Sequence, residues 1–212
     1  MEEIKLGSRS IVFRYDLRDW YLNIQLIQGD KYNYLIDTGL GSESIDPIRK
    51  YFENSPKPLI VINTHFHWDH IWGNHCFQKE IMIAHELCYD LIEENWQKML
   101  TERKEYMQGT VEKKLPNLLI QESIYFPEDG IYIFHAPGHT NDSLCVYDEK
   151  DKILNAADNV DDEDPVLEMD LSSYEKFRER YQNLEIEACV SGHNKILGNE
   201  VFHKMEELRK KI

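Results

Sequence analysis

A cluster of metal-binding side chains is the feature that most constrains this chain. His65, His67, Asp69 and His70 lie within six residues, directly after the apolar run Leu59–Ile62. Such a run predicts a strand buried on both faces, and loops that follow a rigid strand often carry function. Imidazole and carboxylate groups are natural ligands of zinc and related divalent ions. Because the first pair is spaced at i and i+2 and the second pair is adjacent, one loop can supply ligands to two neighbouring ions.

Short β runs alternate with helical segments in both halves of the chain. Near the start, Leu22, Ile24 and Leu26 alternate with polar residues, which is the period of a half-buried strand. The second half repeats the pattern with short apolar runs at 131–135, 144–147, 153–156 and 188–190. We therefore predict an α/β (α+β) chain in which two sheets face each other and the helices lie outside. No linker or low-complexity segment is visible, so we expect a single domain over residues 1–212.

A helical insertion is predicted at about residues 86–115. The segment from Glu86 to about Gln108 lacks glycine and proline and is rich in helix-forming residues, and Pro116 ends the region. The insertion is either a lid that shapes a substrate pocket or a helix packed outside a sheet, and the sequence leaves both interpretations open. Its candidate pocket residues are Tyr89, Trp96 and Tyr106.

The balance of charge bears on the partners of this chain. The 212 residues carry 24 Lys and Arg against 39 Asp and Glu, a net charge of −15, which repels phosphate backbones and disfavours a nucleic-acid partner. No apolar run approaches the roughly 20 residues of a membrane helix, and the first residues lack the basic and apolar regions of a secretory signal. We therefore expect a cytoplasmic protein with four reduced cysteines. The acidic run at 161–164 is expected in a solvated loop; facing a metal site, it would disfavour anionic substrates.

The segment Thr64-His65-Phe66-His67-Trp68-Asp69-His70 resembles the H-x-H-x-D-H signature of the metallo-β-lactamase-fold hydrolases. Four other segments match that family's pattern in the same order: Asp37-Thr38-Gly39, Pro137-Gly138-His139-Thr140, Ala157-Asp158 and Ser191-Gly192-His193. The resemblance spans roughly residues 20 to 195. It implies a four-layer αββα sandwich with a metal-dependent hydrolytic site, and it says little about the substrate.

The resemblance also implies a ligand set for two divalent metal ions, with zinc first and iron or manganese as alternatives. Carried over residue by residue, the ligands are His65, His67 and His139 for one ion, Asp69, His70 and His193 for the other, and Asp158 between them. In the family pattern a hydroxide shared by both ions attacks the substrate, and Asp69 is the catalytic residue that orients the nucleophile or receives its proton. Asp37 is expected either to hold a ligand loop or an imidazole N–H, or to be a simple turn residue.

The expected function is hydrolysis of an ester, thioester or lactone bond in a small molecule. The first alternative is an oxidoreductase with one iron that acts on thiols or persulfides, because relatives of this fold use a subset of these ligands. Phosphodiester cleavage, as in the nucleases of this fold, ranks lower since no basic patch is visible, and the complete ligand set argues against a non-catalytic binding protein. Asp158 stands where many zinc β-lactamases carry cysteine, so antibiotic hydrolysis is not favoured. The oligomeric state is open, and a homo-oligomer is compatible with the sequence.

Overall fold

The computed structural model describes residues 1–161 and 171–209, and its strands form two sheets. The first sheet is built in sequence order from β1 (Glu2–Leu6), β2 (Ser10–Asp16), β3 (Tyr21–Gln28), β4 (Asn33–Ile36), β5 (Leu59–Ile62), β6 (Ile81–His85) and β7 (Leu118–Ile120). Pairing is antiparallel from β1 to β4 and parallel from β4 to β7. The parallel half therefore places the ends of β4, β5 and β6 along one edge of the sheet.

The second sheet has the order β13-β12-β11-β10-β9-β8. Its strands are β8 (Ser123–Phe126), β9 (Ile131–His135), β10 (Leu144–Asp148), β11 (Ile153–Ala157), β12 (Ala188–Ser191) and β13 (Leu197–Gly198). The pair β11–β12 is parallel, and the other pairs are antiparallel. Strands β11 and β12 consequently end side by side, which brings the segments that follow them together.

Helices connect the strands in the described part of the chain. They are α1 (Ser42–Ile45), α2 (Trp68–Ile71), α3 (Glu86–Glu102), α4 (Leu171–Tyr181) and α5 (Glu200–Arg209), with short 3₁₀ segments at Asp46–Tyr51, Asn74–Cys76 and Lys104–Tyr106. None of the helices within residues 1–161 and 171–209 has the length and apolar character needed to cross a membrane.

Apolar side chains join the layers on both faces of each sheet. Ile60 and Ile62 of β5 pack between the sheets against Ile133 of β9, whereas Val61 packs on the opposite face with Ile48 of the first 3₁₀ segment. Burial of each such side chain is worth roughly 1.5–3 kcal/mol, which explains why β5 is apolar at every position. Helices α4 and α5 cover the outer face of the second sheet. The predicted αββα sandwich is therefore confirmed.

Helix α3 forms the helical part of the predicted insertion, and it ends at Glu102 rather than near residue 108. The neutral ring of His85 caps its first turn by accepting a hydrogen bond from the backbone N–H of Leu87. Its apolar face, which includes Ile92 and Trp96, packs against Trp72. Trp96 is therefore a core residue. The acidic stretch predicted at 161–164 lies outside the described residues from 162 onward.

Candidate metal centre

The loop after β5 carries the first four predicted ligands. His65 and His67 lie in the loop itself, and Asp69 and His70 lie on the single turn of α2. The backbone of His67 is extended, with φ −63° and ψ 146°, so the chain changes direction between the two pairs. The remaining predicted ligands follow strands of the second sheet, in the segments after β9, β11 and β12.

Three imidazoles converge in the first ligand group. Nδ1 of His67 lies 3.0 Å from Nε2 of His65 and 2.9 Å from Nε2 of His139. Oδ2 of Asp158 completes the group, at 3.6 Å from Nε2 of His65 and 3.5 Å from Nε2 of His139. Burial lowers the pKa of His65 well below its usual value and lowers the pKa of His67 to about 3. Both rings are therefore neutral at physiological pH, and neutral imidazole is the form that binds a metal ion.

The second ligand group contains Asp69, His70 and His193, and it adjoins the first through Asp158. Oδ2 of Asp69 lies 3.3 Å from Nε2 of His193 and 3.6 Å from Nε2 of His70. Asp158 approaches the same two rings, at 3.1 Å and 3.4 Å. Burial opposes protonation of these rings, but the carboxylates, Asp158 foremost, raise the pKa of His193 to about 9 and that of His70 well above its usual value.

The donor atoms of this centre fit divalent metal ions. Nε2 of His70 and Oδ1 of Asp158 are buried and have no hydrogen-bond partner in the part of the chain that the structure describes. A buried polar atom without a partner costs roughly 1–3 kcal/mol, and a cation between imidazole and carboxylate donors would remove that cost. A bound ion would also take the place of the protons that the carboxylates attract to the second group. The predicted ligands are thus brought together in two adjoining groups, whose occupancy by metal stays a prediction.

One carboxylate orients rings in both ligand groups. Asp37 accepts hydrogen bonds from Nδ1 of His70 at 2.8 Å and from the backbone N–H of Thr64 at 2.8 Å. The Thr64 hydroxyl also donates to Asp37, at 2.9 Å, and lies 3.1 Å from Nδ1 of His65. With Nδ1 occupied in this way, each ring keeps Nε2 free for a metal ion. The expectation that Asp37 holds an imidazole N–H and a ligand loop is confirmed, and its left-handed backbone at φ 65° also makes it a turn residue.

Backbone groups hold the two downstream histidines. Nδ1 of His193 donates to the carbonyl of Tyr21 at 2.9 Å, which leaves its Nε2 toward the carboxylates. The backbone N–H of His139 donates to Oδ1 of Asn159 at 2.8 Å. The ring of Trp20 meets His193 edge-on, with centroids 5.0 Å apart. These three supporting residues were not predicted, because each contact joins segments that are distant in sequence.

Close backbone packing surrounds Asp158. A Cβ on Gly192 would lie 2.0 Å from Oδ1 of Asp158 and 3.1 Å from the His70 ring, so only glycine fits between these two side chains. Ala157, which precedes Asp158, adopts the left-handed region at φ 46°. Such a conformation costs a non-glycine residue roughly 1–2 kcal/mol. Strain at this position is typical of a functional turn.

A cavity of about 400 Å³ opens over the two groups. Among its lining residues are the predicted site residues His67, Asp69, His139, Asp158 and His193, the α3 residues Asn95, Lys98, Met99 and Glu102, and Arg103 just after the helix. Helix α3 therefore packs against the core on one side and walls the cavity on the other, which combines the two interpretations of the insertion. Of the candidate pocket residues, Tyr106 packs against Trp68 beside the cavity with ring centroids 5.0 Å apart, whereas Tyr89 and Trp96 do not line it.

Two relatives of known sequence align with much of this chain at low identity. The acyl-coenzyme A thioesterase MBLAC2 of Gallus gallus is 25% identical over 210 residues, which cover 86% of this chain and 76% of that protein. The protein of the same name from Homo sapiens is 27% identical over 164 residues, which cover 66% of this chain and 58% of that protein. This chain thus spans less than two thirds of the length of the human relative.

Solved structures and a family model agree on the fold. A metallo-beta-lactamase from Pontibacter korlensis aligns with a TM-score of 0.75 and 19% identity, covering 100% of this chain and 99% of that chain. The DIM-1 metallo-beta-lactamase aligns with a TM-score of 0.77 and 18% identity, covering 99% and 97%. The model of the metallo-beta-lactamase superfamily matches residues 18–193, which include every predicted ligand. The matches support the predicted class of metal-dependent hydrolase, and the chain belongs to the metallo-beta-lactamase superfamily.

Proposed function

We propose that this protein hydrolyses thioesters of small molecules with two divalent metal ions, zinc first, held by the two ligand groups. The observation that carries the proposal is the placement of Asp158, whose two oxygens lie within 3.1–3.6 Å of rings in both groups. The names of the chicken and human relatives, both acyl-coenzyme A thioesterases, favour the thioester over the ester and the lactone.

Asp69 carries the proton transfer in this proposal. Its side chain is buried and lines the cavity together with His193. Divalent ions at this centre would supply acidified water and a polarised carbonyl. A carboxylate facing the cavity there can hold the attacking water by a hydrogen bond and receive its proton.

The leaving group also favours a thioester. A thiol has a pKa near 8.5, so a thiolate departs near neutral pH without a proton from the enzyme. An alkoxide or an amine is far more basic and needs a general acid. The proposed reaction therefore needs one proton acceptor in the cavity, Asp69, and no separate general acid.

Metal content and turnover together test the proposal. The protein loaded with zinc should hold about two ions per chain and hydrolyse thioesters faster than matched esters and lactones. His67→Ala and Asp158→Ala should lower metal content and turnover together. Asp69→Asn should lower kcat by about 10²–10⁴-fold. His203→Gln, which removes an exposed histidine of α5, is the matched control and should change neither.

Other outcomes would overturn it. A protein that binds two zinc ions and hydrolyses no thioester, ester or lactone would refute hydrolysis as the function. One iron per chain with thiol-dependent oxygen uptake would support the oxidoreductase instead. Unchanged turnover in both His67→Ala and Asp158→Ala would refute the assigned metal centre.

A further inference from the structure

One face of α3 brings polar side chains to the wall of the cavity. Asn95, Lys98 and Glu102 are spaced at i, i+3 and i+7, so they lie on the same side of the helix, and Arg103 follows at the helix end. The apolar side of α3 is fixed against the core by residues such as Ile92 and Trp96. The orientation of the polar stripe toward the metal centre is therefore set by packing.

Lys98 and Arg103 give this wall its positive charge. Within residues 1–161 and 171–209, no salt bridge joins either side chain to a carboxylate, although Glu102 lines the same cavity. By contrast, Glu93 of α3 is paired with Lys113, at 2.9 Å. In a chain with net charge −15, these two exposed cations form no salt bridge among the described residues and line the cavity, so their positive charge is available to an anionic ligand there.

An aromatic ring holds one of these cations in place. Cζ of Arg103 lies 6.0 Å from the centroid of the Trp68 ring, within the range of a cation–π contact. A cation–π contact does not consume the N–H donors of a guanidinium, and those donors can bind an oxyanion in bidentate fashion. Trp68 begins α2, so Arg103 is tied to the same turn that carries Asp69 and His70.

We propose that Lys98 and Arg103 form an anion subsite on α3, which binds a phosphate or carboxylate of the substrate away from its thioester bond. This inference rests on the proposed thioester hydrolysis and narrows it to anionic substrates. The shared chemistry is an oxyanion. It belongs either to the thiol part of the substrate, as in the phosphates of coenzyme A, or to a carboxylate at the far end of the acyl part.

Three thioesters separate these sources. S-butyryl-N-acetylcysteamine is neutral, butyryl-coenzyme A adds phosphates, and S-succinyl-N-acetylcysteamine adds an acyl carboxylate. For Lys98→Gln and for Arg103→Gln, the ratio of kcat/KM for an anionic thioester to that for the neutral one should fall about tenfold, mainly through KM. Arg103→Lys should recover part of the loss. A fall with butyryl-coenzyme A assigns the phosphate, and a fall with the succinyl compound assigns the carboxylate.

Lys104→Gln is the matched control, because it removes an exposed charge next to Arg103 that does not line the cavity. If Lys98→Gln and Arg103→Gln change the kcat/KM ratio of both anionic thioesters no more than Lys104→Gln does, the proposed subsite is refuted. If the wild-type protein hydrolyses none of the three compounds, the proposed function fails, and the same compounds then serve as ligands in titration calorimetry. Weaker binding of an anionic compound to the Lys98 and Arg103 variants would still support the subsite. Equal binding, or no binding, would refute it.

Discussion

Replacing Asp37 by Asn should weaken metal binding at both ligand groups, because its carboxylate meets three donors. These are the backbone N–H and the hydroxyl of Thr64 and Nδ1 of His70, all within 2.8–2.9 Å. An Asn side chain offers one oxygen and turns an NH₂ group toward at least one of these donors. Asn also tolerates the left-handed backbone at this position, so the substitution tests the hydrogen bonds and leaves the turn intact.

The magnitude follows from the bonds that are lost. A hydrogen bond to a charged group contributes about 1.5–3 kcal/mol, so losing one or two should lower the free energy of unfolding by about 2–5 kcal/mol. Loss of a partner that orients a ligand histidine typically lowers metal affinity by about 10–100-fold. Thr64→Val removes only the hydroxyl between Asp37 and His65. It should therefore lower the metal affinity of the group that contains His65 and leave the metal affinity of the group that contains His70 unchanged.

Competition with a coloured zinc chelator measures the affinity, and urea unfolding measures the stability. Asp129→Asn provides the matched control, since Asp129 is also a buried carboxylate that accepts several hydrogen bonds, including those from Lys31, Tyr32 and Tyr34. It should destabilise the fold without changing zinc affinity. Equal zinc affinity in Asp37→Asn and Asp129→Asn would refute the orienting role of Asp37.

Two further predictions concern His85 and Gly192. His85 is held neutral, with Nε2 donating to the Gln121 carbonyl at 3.1 Å and Nδ1 accepting from Leu87, and burial lowers its pKa. As the pH falls below about 6.5, the unfolded chain takes up this proton first, so the folded state loses stability. The His85→Asn variant should therefore lose less unfolding free energy than the wild-type protein between pH 7 and pH 5 in urea titrations. An equal loss in the two proteins would contradict this prediction. Gly192→Ala should displace Asp158, because its Cβ would lie 2.0 Å from Oδ1, and metal analysis should find fewer ions per chain; full metal content would count against the assigned packing.

The ligand segments could be predicted from the sequence because each is a local signal placed after a strand. A run such as Leu59–Ile62 predicts its own burial, and the parallel ends of β4 and β5 then bring Asp37 beside Thr64. Strands β11 and β12 do the same for Asp158 and His193. Sheet topology thus brings the separate motifs together at one centre. For this reason, a few short motifs were sufficient to predict the two ligand groups.

The cavity wall could not be predicted in the same way. Periodicity indicated a helix in the insertion, and the apolar positions of that helix pack in the core, Trp96 included. Which polar positions face the metal centre depends on how the helix is rotated about its axis when it packs, and that rotation depends on tertiary contacts such as those with Trp72. Lys98 and Arg103 carried no signal of their own, since exposed cations on a helix are usually solvated.

Net charge and local charge predict different partners for this chain. A net charge of −15 opposes a long polyanion, because such a ligand spans many times the distance of about 8 Å over which salt screens exposed charges. A small anion inside the cavity interacts mainly with the side chains that line it, which include Lys98 and Arg103 as well as the carboxylates of Asp69, Glu102 and Asp158. Divalent ions at the centre would offset Asp69 and Asp158 and leave the cations Lys98 and Arg103 in excess over Glu102. We therefore predict that this acidic chain does not bind nucleic acid and that its cavity binds a small anionic thioester.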